Sequence, residues 1–180
     1  MKVYTKAGDD GMSALYAQKA RLKKSASIFD LLGTLDELNA ALGFLHASKI
    51  KEITQIVYDV QRDLFLLGSY FAGKKMEKHD CTYWEARLTY VEKAIDKIDA
   101  KNSPLTNFIL PGGCLESNYL HVCRVQARKL ERIFVQYKEH AKLANYEFVQ
   151  KYLNRISDLF FALARFANKK HKVKDIIWKI

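Results

Sequence analysis

Residues 108–132 read FILPGGCLESNYLHVCRVQARKLER, a proline–glycine turn running into a charged helix. Pro111 restricts one backbone angle, and Gly112 and Gly113 reach conformations closed to other residues, so the chain can turn sharply there. At about 100° per residue, Arg124, Arg128 and Glu131 fall within about 60° of one another on a helix surface. Leu120, Cys123, Ala127, Leu130 and Phe134 form an apolar stripe beside that row. A helix built this way packs on one side and holds a line of charges at its edge. Taken alone, the pattern is also that of an amphipathic helix with a solvated face.

The same period recurs on both sides of this stretch. A first helix is predicted over 27–47, with Ile28, Leu31, Leu35, Leu38, Leu42 and Leu45 inward. Asp36, Asn39 and Gly43 make a second row on it. A helical glycine costs about 1 kcal/mol against alanine, which suggests close packing of a neighbour or a ligand at Gly43. A second helix is predicted over 52–71 and a third over 82–98. The third begins at a Thr82/Glu85 capping box after a polar connector at 73–80. Leu88, Val91, Ile95 and Ile98 form its inward face. The fourth helix is predicted over 116–139 and the fifth over 146–168. The fifth carries Phe148, Tyr152, Ile156, Leu159, Leu163 and Phe166 inward, and Asn154, Asp158, Phe161 and Arg165 in a second row. Residues 1–24 read as an irregular polar loop, and 173–180 as a short strand or extended tail. The expected fold is all-α: one domain over 1–180, with a loop segment (1–24), a bundle of about five helices (25–170) and a tail (171–180).

Composition sets outer limits. The 180 residues are enough for one ordinary core, and eight Gly with two Pro suit long helices better than many turns. No apolar run is long enough to span a bilayer, and the first residues have neither a signal-peptide core nor a transit-peptide composition, so a cytoplasmic location is expected. Three cysteines without CxxC spacing argue against a disulfide framework and a structural zinc site. The five histidines lack an HExxH pair and read as surface or packing residues, so no resident metal site is expected. A net charge of +10 implies an anionic partner: nucleic acid, an acidic membrane surface or a polyphosphate. No Lys/Arg block is interleaved with aromatics, and Glu131 within the basic row does not suit a phosphate-backbone reader. Nucleic acid and membrane are therefore not expected as partners, although a basic helical nucleic-acid binder is one alternative. The loop at 5–13, with two glycines and flanking hydroxyls, can turn backbone N–H groups toward phosphate, as can any surface turn of that composition.

Four segments together resemble the PduO-type ATP:corrinoid adenosyltransferases. They are TKAGDDGMS (5–13), GTLDELN (33–39) followed by Gly43, residues 108–113 with the Arg124–Arg128–Lys129–Glu131–Arg132 pattern, and YLNRISDLFF (152–161). They fall in the family order and span the chain. The resemblance implies a cobalamin adenosyltransferase-like helical bundle, assembled as a homotrimer with its active site between subunits. It implies transfer of the 5′-deoxyadenosyl group of ATP to Co(I) of reduced cobalamin, with triphosphate released. By position, Thr5, Lys6, Gly8, Asp9, Gly11, Met12, Ser13 and Lys24 would wrap the triphosphate. Arg128, Glu131 and Asn154 would contact ATP, with Mg²⁺ bridging phosphates. Asp36 and Arg124 would pair across the subunit boundary beside cobalamin, and Phe108 and Phe161 would wall the corrin ring. Arg128, Asp36, Arg124 and Phe108 are the expected catalytic set. A cob(II)alamin reductase and an adenosylcobalamin-dependent enzyme are the implied partners, and a non-catalytic adenosylcobalamin carrier is the other alternative. This chain departs from the pattern at Ala7 and Ser13, where threonine is usual, at Ala14, where a small hydroxyl residue is frequent, and at Lys129, where a second arginine is common.

Overall fold

The computed structural model describes residues 4, 6–16, 20–141 and 146–179. Five helices carry the chain: α1 (Ser27–Gly43), α2 (Lys51–Phe71), α3 (Lys78–Asp99), α4 (Leu115–Ala141) and α5 (Glu147–Lys170). Two small antiparallel ladders flank them, β1 (Met12–Ala14) with β2 (Arg21–Lys23), and β3 (Ile109–Leu110) with β4 (Ile176–Ile177). α1 packs between α2 and α4, and α5 packs between α4 and α3.

The apolar rows read from the sequence face inward. Leu31, Leu38 and Leu42 of α1 are fully buried, as are Leu120, Cys123, Ala127, Leu130 and Phe134 of α4. Each such leucine contributes roughly 1.5–3 kcal/mol of transfer free energy. α5 is the central helix. From Leu159 to Asn168 every residue except Phe161 is buried, and Ala162, Ala164 and Ala167 let neighbouring elements approach closely.

α2 and α3 meet through polar side chains. Tyr90 donates to Asp59 at 2.7 Å. Asp63, 1% exposed, accepts from Tyr83 and Tyr152 at 2.6 Å each and from Arg87 Nε at 2.8 Å. A buried carboxylate is costly unless it is paired and hydrogen-bonded, and three donors meet that need. Burial, then the bond to Asp63, pushes the Tyr83 phenol up to about 12, so it remains a donor at neutral pH.

Four expectations change. A β-carbon at Gly43 would meet no atom of the described residues within 4 Å, so no neighbour within the chain packs closely there. α3 begins at Lys78, four residues before the predicted Thr82 cap. Asp80 accepts from the Glu77 N–H at 2.7 Å and from the Tyr70 hydroxyl at 2.6 Å, so the helix start is anchored on α2. Thr82 and Glu85 therefore lie inside the helix. Leu88 and Ile95 of α3 are only half-buried. The irregular loop at 1–24 contains the β1–β2 hairpin, whose three-residue strands are too short for an alternating pattern to stand out.

Candidate active site

Three groups of predicted site residues come from three parts of the fold. The first is the turn before β1. Lys6 has φ +61° and Gly11 φ +76°, both in the left-handed region, and the turn closes through Asp9 N–H to the Lys6 carbonyl and Gly11 N–H to the Gly8 carbonyl. Two cations from the β2 side hold it. Lys24 Nζ donates to the Gly8 carbonyl at 2.8 Å, and Arg21 donates to both Asp10 carboxylate oxygens at 2.9 and 2.6 Å. Asp10 also accepts the Met12 N–H at 3.1 Å. These contacts, led by Arg21, hold the Asp10 carboxyl below its usual range. Gly8, Met12 and Ser13 are half-buried, while Lys6, Asp9 and Lys24 are exposed. The result is a small basic loop with its own backbone fixed. Thr5, expected in the same loop, lies outside the described residues.

The second group lies where α4 meets α5. Arg128, Glu131, Arg132 and Asn154 line one groove of about 390 Å³, together with Val135, Gln136 and Glu139. Asn154 donates to Glu131 at 2.9 Å and accepts from Arg155 at 2.7 Å, so its carboxamide is oriented from both ends. Arg128 remains exposed at the rim, without a hydrogen bond or ion pair to a described residue. Lys129 turns the other way and pairs with Glu37 of α1 at 2.9 Å. One turn back, Arg124 is half-buried and its Nε is shielded from solvent without a hydrogen-bond partner among the described residues. Burial, then repulsion from Arg128, lowers its pKa. Asp36 is exposed on α1 and has no ion pair with Arg124 within the chain.

The third group is the turn at 108–113. Phe108 is 80% exposed, and its only ring contact among the described residues is an edge contact with Trp178 at 6.4 Å. The two border an open pocket of about 710 Å³ with Leu105, Thr106, Asn107 and Lys179. The Trp178 N–H bonds the Phe108 carbonyl at 2.8 Å, extending the β3–β4 ladder. Behind it, Asn168 accepts the Cys114 N–H at 2.9 Å and donates to the Gly112 carbonyl at 3.0 Å. Ser117 donates to the same carbonyl at 3.0 Å. Asp175 completes the brace, accepting from Asn168 at 3.3 Å and from the buried Arg165 at 2.8 Å. Phe161 does not meet Phe108 within the chain; it faces His121, ring centroids 6.1 Å apart. Burial, then Arg124, lowers the His121 pKa, so that imidazole is neutral near pH 7.

The structure thus gathers Arg128, Glu131 and Asn154, and it sets the N-terminal loop, Asp36 and the Phe108 turn at separate edges. Arg21, Asn168 and Asp175 were not singled out as site residues. Arg21 was visible as one basic residue among several, whereas nothing periodic marks an asparagine at a helix end or an aspartate in a tail.

A helical bundle that opens two arginines and an oriented carboxamide into one groove, and carries an exposed aromatic turn ahead of the same helix, defines a class of protein with one surface for an anionic ligand and another for an apolar one. Residues 3–167 match the cobalamin adenosyltransferase family. The chain is 34% identical to a corrinoid adenosyltransferase of Bacillus subtilis over 181 residues, spanning 98% of this chain and 91% of that one. It is 36% identical to the human corrinoid adenosyltransferase MMAB over 186 residues, 98% of this chain and 73% of that one. Among solved structures, a variant PduO-type ATP:corrinoid adenosyltransferase from Lactobacillus reuteri, complexed with cobalamin and ATP, superposes with a TM-score of 0.84 at 27% identity. That match covers 99% of this chain and all of the other. This chain belongs to the cobalamin adenosyltransferase family.

Proposed function

We propose that this chain transfers the 5′-deoxyadenosyl group of ATP to the Co(I) of reduced cobalamin. Cobalt attacks carbon 5′, the Co–C bond forms, and the C5′–O bond breaks with its electron pair leaving on triphosphate. The observation that carries this reading is the groove shared by Arg128, Glu131 and Asn154, rimmed by a cation that no described side chain of the protein neutralises. Co(I) is already a strong nucleophile, so the protein needs no general base. Its work is to align the two substrates and to neutralise the departing charge.

Each group has a part. Arg128 grips phosphate oxygens, which a planar guanidinium can hold in pairs. Asn154, oriented by Glu131 and Arg155, fixes the nucleoside side of ATP. The 6–13 loop and Lys24 close over the triphosphate. Asp10 is taken up by Arg21, which leaves the exposed Asp9 as the acid of this loop open to a cation carried on the phosphates. Mg²⁺ bound there would supply further neutralisation of the leaving group.

Arg124 and Asp36 imply assembly. A shielded guanidinium nitrogen and an exposed aspartate, each without a partner among the described residues, are complementary between two copies. Leu115, Val122 and Val125, 46–67% exposed, give α4 an apolar surface that a neighbouring subunit would cover. The active unit is a homotrimer, and the Phe108 turn and Phe161 meet the corrin from its apolar side at the subunit junction.

The test is an anaerobic assay with chemically reduced cob(I)alamin and Mg-ATP. Loss of cob(I)alamin absorbance should match triphosphate release. Arg128→Ala should cost about 10²–10³-fold in kcat, the scale of removing one preorganised charge-stabilising group. Corrinoid binding without triphosphate release would instead describe a carrier.

A further inference from the structure

α4 begins where α5 ends, and three metal-ligating side chains converge at that junction. Cys114 immediately precedes α4, Glu116 is in its first turn, and His171 follows the last residue of α5. The Cys114 thiol sulfur, a Glu116 carboxylate oxygen and a His171 ring nitrogen all lie within 4.8 Å of one another. A tetrahedral zinc shell places its ligand atoms roughly 3.3–3.7 Å apart, so small side-chain rotations suffice to close it. His171 Nε2 is already 3.1 Å from Glu116 Oε1.

We propose that Cys114, Glu116 and His171 form a binding site for a divalent transition-metal ion of the Zn²⁺ type. The donor set is one thiolate, one imidazole and one carboxylate, which selects Zn²⁺ or Co²⁺ over Mg²⁺ or Ca²⁺. The ligands stand on fixed backbone. Cys114 N–H is bonded to Asn168 Oδ1, and His171 N–H to the Ala167 carbonyl at 3.0 Å. Ser48, from the turn after α1, donates to Glu116 Oε1 at 3.3 Å and orients the carboxylate from behind. Cys114 and Glu116 are half-buried, and His171 opens to solvent, which gives the ion an entry path and a fourth position for water.

Binding is balanced by protons: the thiol releases one, and the imidazole coordinates in its neutral form. The site lies at the base of the Phe108–Gly113 turn and is separate from the Arg128 groove. An ion here would staple the start of α4 to the end of α5 and stiffen the turn that carries Phe108. No CxxC or HExxH pattern announces it, because its ligands come from opposite ends of the two longest helices.

The experiment is a titration of the chelator-treated, tag-free full chain with Co²⁺, read by absorbance, with Zn²⁺ as competitor. The expected result is one equivalent bound, with tetrahedral d–d bands and a thiolate-to-cobalt charge-transfer band, all displaced by Zn²⁺. Cys114→Ser should lose the charge-transfer band, and His171→Ala, beyond the helix end and compatible with the fold, should lose stoichiometric binding. Cys81→Ser should change neither. Ser48→Ala should weaken binding about 10–100-fold, as removal of a group orienting a ligand does. Absence of a charge-transfer band in the unmodified chain, or its persistence in a folded Cys114→Ser variant, overturns the assignment.

Discussion

Gly113 has φ +120°, a backbone region that L side chains rarely adopt, and a β-carbon there would collide with the Asn168 carboxamide. That carboxamide holds both the Cys114 N–H and the Gly112 carbonyl. Gly113→Ala therefore meets two penalties at once, a strained backbone and a displaced clamp. Strain of this kind costs on the order of 1–3 kcal/mol, before the hydrogen bonds of Asn168 are counted. For a chain of this length each kcal/mol corresponds to roughly 2–4 °C, so thermal denaturation should show a fall of about 5 °C or more. The same variant should lose corrinoid affinity more than ATP affinity, because the turn carries Phe108 while the Arg128 groove lies elsewhere on α4. An unchanged melting temperature would mean that the turn relaxes freely.

At the scale of elements, the helices were legible because each has a long apolar face at a 3.6-residue period, and a period is a property of the local sequence. α4 was legible in function as well. Its Arg124–Arg128–Glu131 row lies beside the buried stripe as the spacing implies, with Arg128 and Glu131 in the groove and Arg124 half-buried one turn earlier. What stayed hidden was built from distant parts. Arg165 falls in the same helical row as Asn154 and Phe161, yet it is 5% exposed and committed to Asp175. The α3 start departs from the Thr82 cap that the sequence favours, because Asp80 is held from α2 by Tyr70. The β1–β2 hairpin was hidden because its order comes from cross-links rather than from strand patterning. Those cross-links yield a prediction. Arg21 joins β2 to Asp10, and its loss frees the turn that Gly8 and Gly11 make. Arg21→Ala should raise the KM for ATP several-fold, with little change in kcat for bound substrates. Because the folded Asp10 pKa is depressed, this contact is present above the ordinary carboxylate range and is lost as pH falls through the folded value. Arg21→Ala and the unmodified chain should then converge in KM at acid pH. A KM for ATP equal to that of the unmodified chain at neutral pH would remove the loop from the binding site.

On the scale of the whole molecule, the open question is what completes Arg124. A guanidinium with a shielded, unpartnered nitrogen is an unfavourable arrangement in an isolated chain. Arg128 worsens it as a like charge, and the neutral His121 offers no countercharge. The aspartate on α1 that could pair with it is exposed and pairs with no cation among the described residues, and the adjacent Glu37 is already taken by Lys129. The proposed cyclic assembly would resolve both, because each copy presents one acid unpaired among the described residues and one shielded base, and three copies would use every pair once. Asp36→Arg and Arg124→Asp should each reduce the proposed homotrimer to smaller species in light scattering and lose most of the activity. Breaking one side of a partly desolvated pair costs roughly 2–5 kcal/mol. The double exchange, Asp36→Arg with Arg124→Asp, restores opposite charges at every junction and should recover the trimer. It should recover activity less fully, because the acid and base would then stand in exchanged places beside the corrin. A contact inside one chain would give a different pattern, in which the single variants remain trimeric and differ only in stability. Mixing the two single variants separates the cases further. With one chain supplying only bases and the other only acids, a mixed ring of three has two matched junctions and one like-charged one, so assembly should recover in part on mixing, and only if the pair forms between subunits.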